Sequence, residues 1–472
     1  MNRRELWLPV VVIAAFAAVP AFAAERPLAL GSRLELLADD YLVGKLSGDA
    51  KLKLHEPKPH EVVLVTGEPW EGNTCAYYTI FQDGRKYRMY YRGSHWDTAK
   101  KRATHPEVTC YAESTDGIRW TKPNLGLYSF PSSSLGTSSK KNNIVWNGIG
   151  THCFTPFIDT NPDCPADAKY KAISRGRPQA KKGLYVFQSA DGIHWKLLSQ
   201  QPVITIGAFD SQNLAFWDPV RKLYVAYYRN FRNGVRDIMT CTSKDFLHWS
   251  KPQYIKISGA PREHLYTNAV QPYPRAPHIK IGFPTRYLPK GSKVAPTFML
   301  SRDGLNFHRW QQPVIPSTAP KDRDGNRSNY MTWGLLQLPG KPNEYSVYAT
   351  EAYYTGPNSR VRRFTYRVDG FVSVHSGEKG GELVTKPLTF TGKSLVLNYA
   401  TKGKGTLKVE LQDASGKPIS GFTASDCKPL TGDEIAGKVT FAGGDIGKLA
   451  GKPVRVRFVL QNADLYSLRF AN

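Results

Sequence analysis

Six cysteines in 472 residues are too few to hold a chain of this length together, and none falls in a Cys-x-x-Cys pair or a tight Cys/His grouping. A disulfide framework and a structural zinc site are therefore not what organises the fold. The pairs best placed to bridge are Cys153 with Cys164, which bracket a Pro/Asp-rich loop, and Cys75 with Cys110 on neighbouring strands. Long apolar runs are missing beyond the N-terminus, so nothing there reaches the roughly 20 residues of a membrane span. Acidic residues are in short supply: 39 Asp and Glu stand against 64 Lys and Arg, a net charge of +25. The basic residues are spread along the chain, and no nucleic-acid-binding module accompanies them, which speaks against nucleic acid as a partner. Two readings of the charge stay open, a solvated lysine surface or affinity for anionic polymers.

What is present begins with an export pattern. Arg3 and Arg4 precede an apolar run from Trp7 to Val19, and Ala21-Phe22-Ala23 offers small residues before a cut. Residues 1–24 read as a cleaved signal peptide, which predicts a secreted or periplasmic protein with no stable membrane insertion afterwards. A retained anchor is the alternative, for which the run is short.

Aromatic residues are abundant (Trp 10, Tyr 25, Phe 21), the segments are strand-like, and glycine and proline fall between them as turns. Within this pattern one signature returns five times: STDGIRW, SADGIHW, SKDFLHW, SRDGLNF and a degenerate RVDGFVS, with aspartates at 116, 191, 245, 303 and 369. Repetition on that scale marks stacked or radial supersecondary units. Each unit reads as strand, tight turn, strand, loop, strand, Asp-Gly turn, an antiparallel meander closed by a short outer strand, as around Pro202 to Ile204 and Pro313 to Ile315. A linear β-solenoid competes, but its repeats are shorter and more uniform. The expected fold is therefore all-β: a five-bladed β-propeller over residues 25–376, followed by a C-terminal β-sandwich over 377–472. The sandwich segment could alternatively serve as a carbohydrate-binding module. The repeated aspartates are expected to hold turns by accepting backbone N–H bonds, and the following Trp or Phe to wedge between blades.

If each blade starts at the central axis, the polar residues just ahead of each first strand converge. They are Trp70 to Asn73, Thr151-His152, Asp210 to Asn213, Arg262-Glu263-His264 with Tyr266 and Asn268, and Arg327-Ser328-Asn329. Carboxylates in that set suit glycosidic chemistry, which needs a general acid and a second carboxylate as nucleophile or water-activating base. Glu263 is the expected acid, Asp210 the second carboxylate, and Asp40 or Glu71 the base or nucleophile; Glu351 is a secondary candidate. Strand alternation lets only one of Asp39 and Asp40 face the cavity, and Asp40 is preferred. Substrate contacts are expected from His152, Gln212, His264, Tyr266, Asn268, Arg327 and Asn329, with Trp70, Trp96 and Trp333 as stacking platforms. Each carries a structural alternative: an ion pair of Glu263 with Arg262 or Arg286, a turn cap for Asp210, backbone bonding for Asp40 and Glu71, and interblade packing for the tryptophans.

Five blades, a trailing β-sandwich, an early aspartate and carboxylates in the third and fourth blades resemble the clan of five-bladed propeller glycosidases containing invertases, levanases, arabinofuranosidases and xylosidases. LELLADDYLV, REHLYTNAVQPYPRAPHIKIGFPTRY, VRRFTYRVDGFVS and ADLYSLRF are similar to a group of exported proteins of polysaccharide-degrading environmental bacteria related to the invertase-type N-terminal domain. The resemblance covers nearly all of the chain after residue 24. It implies a first-blade nucleophile or base at Asp40 or Glu71, a supporting aspartate at Asp210, and Glu263 protonating the leaving group. Three departures bear on activity. ADDYL replaces the Asn-Asp-Pro-Asn-Gly element, the Arg-Asp-Pro element has no counterpart, and Glu263-His264 stands where that clan has Glu-Cys.

The expected function is a secreted glycoside hydrolase acting on a polysaccharide or its oligosaccharides, anionic glycans among them. The alternatives are a non-catalytic carbohydrate-binding propeller and a sialidase-like enzyme using Arg262, Arg286 and Arg327 as a carboxylate clamp. No pattern specifies a cofactor; a calcium ion on the propeller axis is compatible with the composition, but nothing calls for it.

Overall fold

The computed structural model describes residues 26–131, 138–317 and 329–472. Its strands are rich in β-branched and aromatic residues, and many are buried along their whole length rather than on alternate positions, as in Leu184–Ser189 and Lys293–Ser301. That pattern is what a sheet covered on both faces requires, and here each blade is covered by its two neighbours.

Five antiparallel sheets make the ring. Blade 1 runs from Ala76–Asp83 through Lys86–Gly93 and Val108–Ser114 to Ile144–Trp146, and blade 2 from Thr155–Ile158 through Tyr170–Arg175 and Leu184–Ser189 to Lys196–Leu197. Blade 3 contains Leu214–Asp218, Leu223–Arg232, Val235–Ser243 and Gln253–Tyr254. Blade 4 contains Gln271–Tyr273, Ala276–Gly282, Lys293–Ser301 and Asn306–Pro313, edged by Lys256–Ser258. In blade 5 an irregular inner strand bridges through Met331 and Leu336 to Glu344–Glu351, which pairs with Arg360–Arg367. Its outer strand is Lys58–Val65, contributed from ahead of blade 1, so the N-terminal side of the chain closes the ring.

The repeated signature builds turns as expected. In four copies the serine hydroxyl receives the N–H groups two and three residues on, and the aspartate receives those of the next turn; Asp191 Oδ1, for example, accepts from Ile193 N and His194 N at 2.8 Å. The glycine carbonyl then receives a tyrosine hydroxyl from the preceding blade: Tyr348 to Gly117 (2.7 Å), Tyr90 to Gly192 (2.8 Å) and Tyr227 to Gly304 (2.7 Å). Blade 2 has Ile173 at the register position of Tyr90 and Tyr227, and blade 3 correspondingly carries Phe246 in place of glycine, at φ 68°. An apolar pair thus replaces a hydrogen-bonded one. The fifth copy departs: Asp369 is buried and accepts from Tyr273, Arg275, Asn398 and Ser467, tying blade 4 to the C-terminal sheet.

A second repeat lies at the far ends of the inner strands. Phe-x-Asp closes three of them, and the aspartates bind forward to the next blade: Asp83 to Tyr170 Oη (2.6 Å), Asp159 to Tyr224 Oη (2.6 Å) and Asp218 to Lys280 Nζ (3.0 Å).

The C-terminal unit is one ten-stranded sheet in which two long strands, Ser394–Asp413 and Val454–Ala471, pair along most of their length and fold over a single apolar core. It draws in Leu28–Gly31, Leu34–Leu36, Val43–Gly48 and Lys51–Leu54 from the N-terminal end, as well as Val372–Ser376. Residues 28–54 and 372–376 therefore lie in this sheet, on the other side of the boundary expected at residues 25 and 377. All six cysteines are unpaired. Cys153 precedes the inner strand of blade 2 and Cys164 follows its opposite end, where it contacts Lys171, so these two cannot bridge.

Candidate functional site

In a four-stranded meander the start of the first strand, the end of the second and the start of the third all lie at one end. At that end of the ring three titratable side chains form a chain across blades 1 to 3. His152 Nδ1 lies 2.9 Å from both carboxylate oxygens of Glu107, and its Nε2 lies 2.8 Å from Asp210 Oδ1. Glu107 stands just ahead of the third strand of blade 1, His152 in the 3-10 turn Thr151–Cys153 that opens blade 2, and Asp210 ahead of blade 3. The imidazole thus bridges the two carboxylates, one at each ring nitrogen.

Cations surround this chain. Arg92, 5% exposed, approaches both nitrogens of His152 (3.2 and 3.3 Å) and Glu107 (3.4 Å), while its second amino group donates to Thr74 O and Tyr353 Oη. Arg175 reaches Asp210 at 3.1 Å. Burial alone would raise the pKa of Glu107, but the hydrogen bond from His152 and the charges of Arg92, His152 and Arg175 hold it down at about 2. Burial is likewise outweighed at Asp210, where His152, Arg175 and Arg229 keep the carboxyl well below the usual range. Both carboxylates are ionised, and Asp210 is the open one, with its side chain about half exposed (52%) against 21% for Glu107.

Aromatic rings enclose the chain. Tyr77 packs on His152 at 5.5 Å and under the Arg92 guanidinium at 5.0 Å. Tyr266, Tyr330 and Tyr353 continue as an edge-to-face series. Tyr77, Ala352 and Tyr354 hold left-handed φ of 58°, 56° and 62°. Such backbone costs of order 1–3 kcal/mol per residue and concentrates at functional sites. A cavity of about 300 Å³ opens against Asp210.

Of the residues expected here, Asp210, His152 and Tyr266 meet. The others do not join them. Glu263 is clamped by Arg309 (2.7 Å) and Arg286 (3.2 Å) on blade 4. Glu71 is sealed beneath Tyr91 (2.5 Å) and Lys122 (2.7 Å); burial raises its pKa, but no solvent path reaches the carboxyl, whose side chain is 0% exposed. Asp39 pairs with Arg302 and Asp40 is exposed, both where the N-terminal strands meet blade 4, because those strands belong to the C-terminal sheet and not to blade 1. Glu351 is buried between Arg360 and Arg362. Gln212 and Asn268 bond backbone carbonyls of Tyr78 and Tyr227. Asn329 is buried at φ 72°. His264 accepts from Arg236 N at 3.2 Å on the rim, and burial followed by the Arg236 charge lowers its pKa. Trp70 bonds Asn143 within blade 1, and Trp333 bonds Val270 O near the axis. Arg262 bonds the Arg232 carbonyl and Arg286 pairs with Glu263, so these two arginines do not form a clamp. Arg327 lies outside the described residues, as do residues 1–24.

Glu107, Arg92, Arg175, Arg229, Tyr77 and Tyr353 are the residues that the sequence expectation missed. All but Tyr77 come from the ends of second strands or from the loops leading to third strands. The antiparallel order of the meander puts those loops at the same end as the first-strand starts, and that rule would have found them.

Among the described residues no group of three or more His, Cys, Asp or Glu is disposed to hold a metal ion, and no helix is long and apolar enough to cross a membrane. No protein-family model matches the chain, and no curated protein matches it. Among solved structures the chain is similar to a β-1,2-mannobiose phosphorylase from Listeria innocua, at 12% identity and a TM-score of 0.48 over 66% of this chain and 97% of that one. It is similar also to a fructofuranosidase from Schwanniomyces occidentalis complexed with fructosylnystose (10% identity, TM-score 0.42, 89% of this chain and 99% of that one). A glycosyl hydrolase from Bacteroides ovatus matches at 14% identity and a TM-score of 0.42, over 69% of this chain and 97% of that one. The strand pairing itself defines the five-bladed ring.

Proposed function

We propose that the protein is an exported glycoside hydrolase acting on a polysaccharide or its oligosaccharides, with Asp210 and Glu107 as the working carboxylates on either side of His152. The observation that carries this reading is the Glu107–His152–Asp210 chain at the axial end of the ring. Asp210 presents an ionised carboxylate to the cavity, and the imidazole of His152 stands behind it within hydrogen-bond reach, placed to pass a proton to or from that carboxylate. Acid–base work at a glycosidic oxygen needs both at one place. Arg92 and the tyrosines fix the ring plane of His152, so the proton lies along the line to Asp210. Export follows from the N-terminal Arg-Arg and apolar run.

A non-catalytic glycan-binding propeller is the second reading. It is favoured by the acidity of both carboxylates, neither of which holds a proton of its own. The two readings separate on a panel of glycans. Hydrolysis yields new reducing ends that disappear in Asp210→Asn, whereas a binding propeller retards glycans in affinity electrophoresis and releases none.

A further inference from the structure

The cavity beside Asp210 holds more positive charge than the site's carboxylates neutralise. Arg175, Arg177, Lys182 and Arg229 line it together with a single carboxylate, Asp210. Arg229 is the informative member. It is 5% exposed, its Nε donates to Ala208 O at 3.0 Å, and its guanidinium stands 4.7 Å over the ring of Tyr266. One of its terminal amino groups, NH1, is buried without a hydrogen-bond partner. A buried charged amino group without a hydrogen-bond partner costs more than the about 1–3 kcal/mol of a neutral one, and an oxyanion brought beside it would recover that cost.

We propose that this cavity takes an oxyanion carried on the substrate sugar, the carboxylate of a uronic acid or a sulfate ester, next to the carboxylate–imidazole chain. This rests on the glycosidase reading and names its substrate class. Planar guanidinium forks match oxyanions with paired, charge-assisted hydrogen bonds. Arg229 supplies the buried donor, and Arg177 and Lys182 supply charge at the exposed rim. The volume, about 300 Å³, lies at the small-molecule end of ligand sites and exceeds what a lone inorganic ion fills. Phe209, Ala208 and Gly183 add an apolar wall against which a sugar ring can lie. Asp210 sits at the edge of the same cavity, which puts the charged substituent close to the bond that would be cleaved.

Calorimetric titration of the full chain with glucuronate, glucose 6-sulfate, glucose and inorganic sulfate or phosphate tests the site. The charged sugars are expected to bind at least about tenfold more tightly than glucose, with an affinity that falls as salt rises. The exposed pair Arg177→Ala/Lys182→Ala should weaken them about tenfold, and Arg229→Gln should do so more severely. A thermal melt of each variant checks that it is folded. Equal affinity for glucose overturns the proposal, as does binding of inorganic sulfate or phosphate as tight as that of the charged sugars. Turnover is scored separately on neutral and anionic glycans. Cleavage of neutral glycans alone sinks the anionic site and leaves the hydrolase reading intact. Salt-sensitive, Arg177-dependent binding without any cleavage keeps the site and sinks the hydrolase reading.

Discussion

His152 Nε2 and Asp210 Oδ1 are 2.8 Å apart across 58 residues of sequence, and on its other side the same ring meets Glu107. Replacing Asp210 by Asn keeps the shape and removes the exposed negative charge. The expected outcome is a fall in kcat of about 10²–10⁴ with little change in KM. His152→Gln should lower kcat comparably and flatten its pH profile. A purely structural role would instead shift the melting temperature and leave the residual activity with an unchanged pH profile.

Glu263 answers to a different measurement. Arg309 is 1% exposed and Arg286 is 13% exposed in its side chain, and both hold the Glu263 carboxylate. Glu263→Gln should therefore cost about 2–3 kcal/mol of stability in denaturant unfolding. Turnover per folded molecule should stay within a few-fold of the parent. A loss of kcat without a loss of stability would restore Glu263 as the proton donor.

The interblade latches give a paired prediction. An alanine Cβ at Gly192 would lie 2.8 Å from Tyr90 Oη at a φ of 77°, so Gly192→Ala should destabilise by about 1–3 kcal/mol. Phe246→Gly relieves its backbone strain but empties the space between blades 2 and 3, at a net cost of about 3 kcal/mol. If Ile173→Tyr combined with Phe246→Gly recovers stability by chemical denaturation, the two latch designs are interchangeable.

Acid should weaken the fold in two separate windows. His55 is half-buried against Ser373 and Asp464, and desolvation, with Lys53 and His375 nearby, lowers its pKa to about 4. The unfolded chain then binds more protons than the folded one below pH 6.5, so stability falls as the pH drops from about 6.5 to about 4. Glu107 is likewise depressed, and its contribution is present above about 4.5 and lost as the pH falls towards 2. His55→Asn should reduce the slope in the upper window alone, and Glu107→Gln should reduce, without abolishing, the slope in the lower one, in melting temperature plotted against pH.

The repeated signature reveals the blade count because four of its five copies are local devices: serine and aspartate bond within one turn, and that chemistry is written in contiguous residues. The site is less legible because its members are brought together by strand direction. His152, Asp210 and Tyr266 lie at first-strand starts, where the sequence reading looked. Glu107, Arg92 and Arg175 arrive from the return loops and carry no motif of their own. Asp40 misleads for another reason: an early aspartate reads as belonging to blade 1 only if the chain enters the ring at once. It first supplies four strands to the distant sheet, and no local pattern announces a pairing such as Leu34 with Arg469.

That pairing also sets an order in time. The strands Leu28–Gly31 and Leu34–Leu36 find their partners in Leu388–Phe390 and Val454–Ala471, made only after the whole ring. Lys58–Val65 must likewise wait for Arg360–Arg367 before blade 5 is whole. Contacts of such sequence separation are slow to form, and until they do the strand edges stay open to other chains. A chain built this way closes its ring only once Arg360–Arg367 is made, and its second unit only once Val454–Ala471 has paired with strands from the other end.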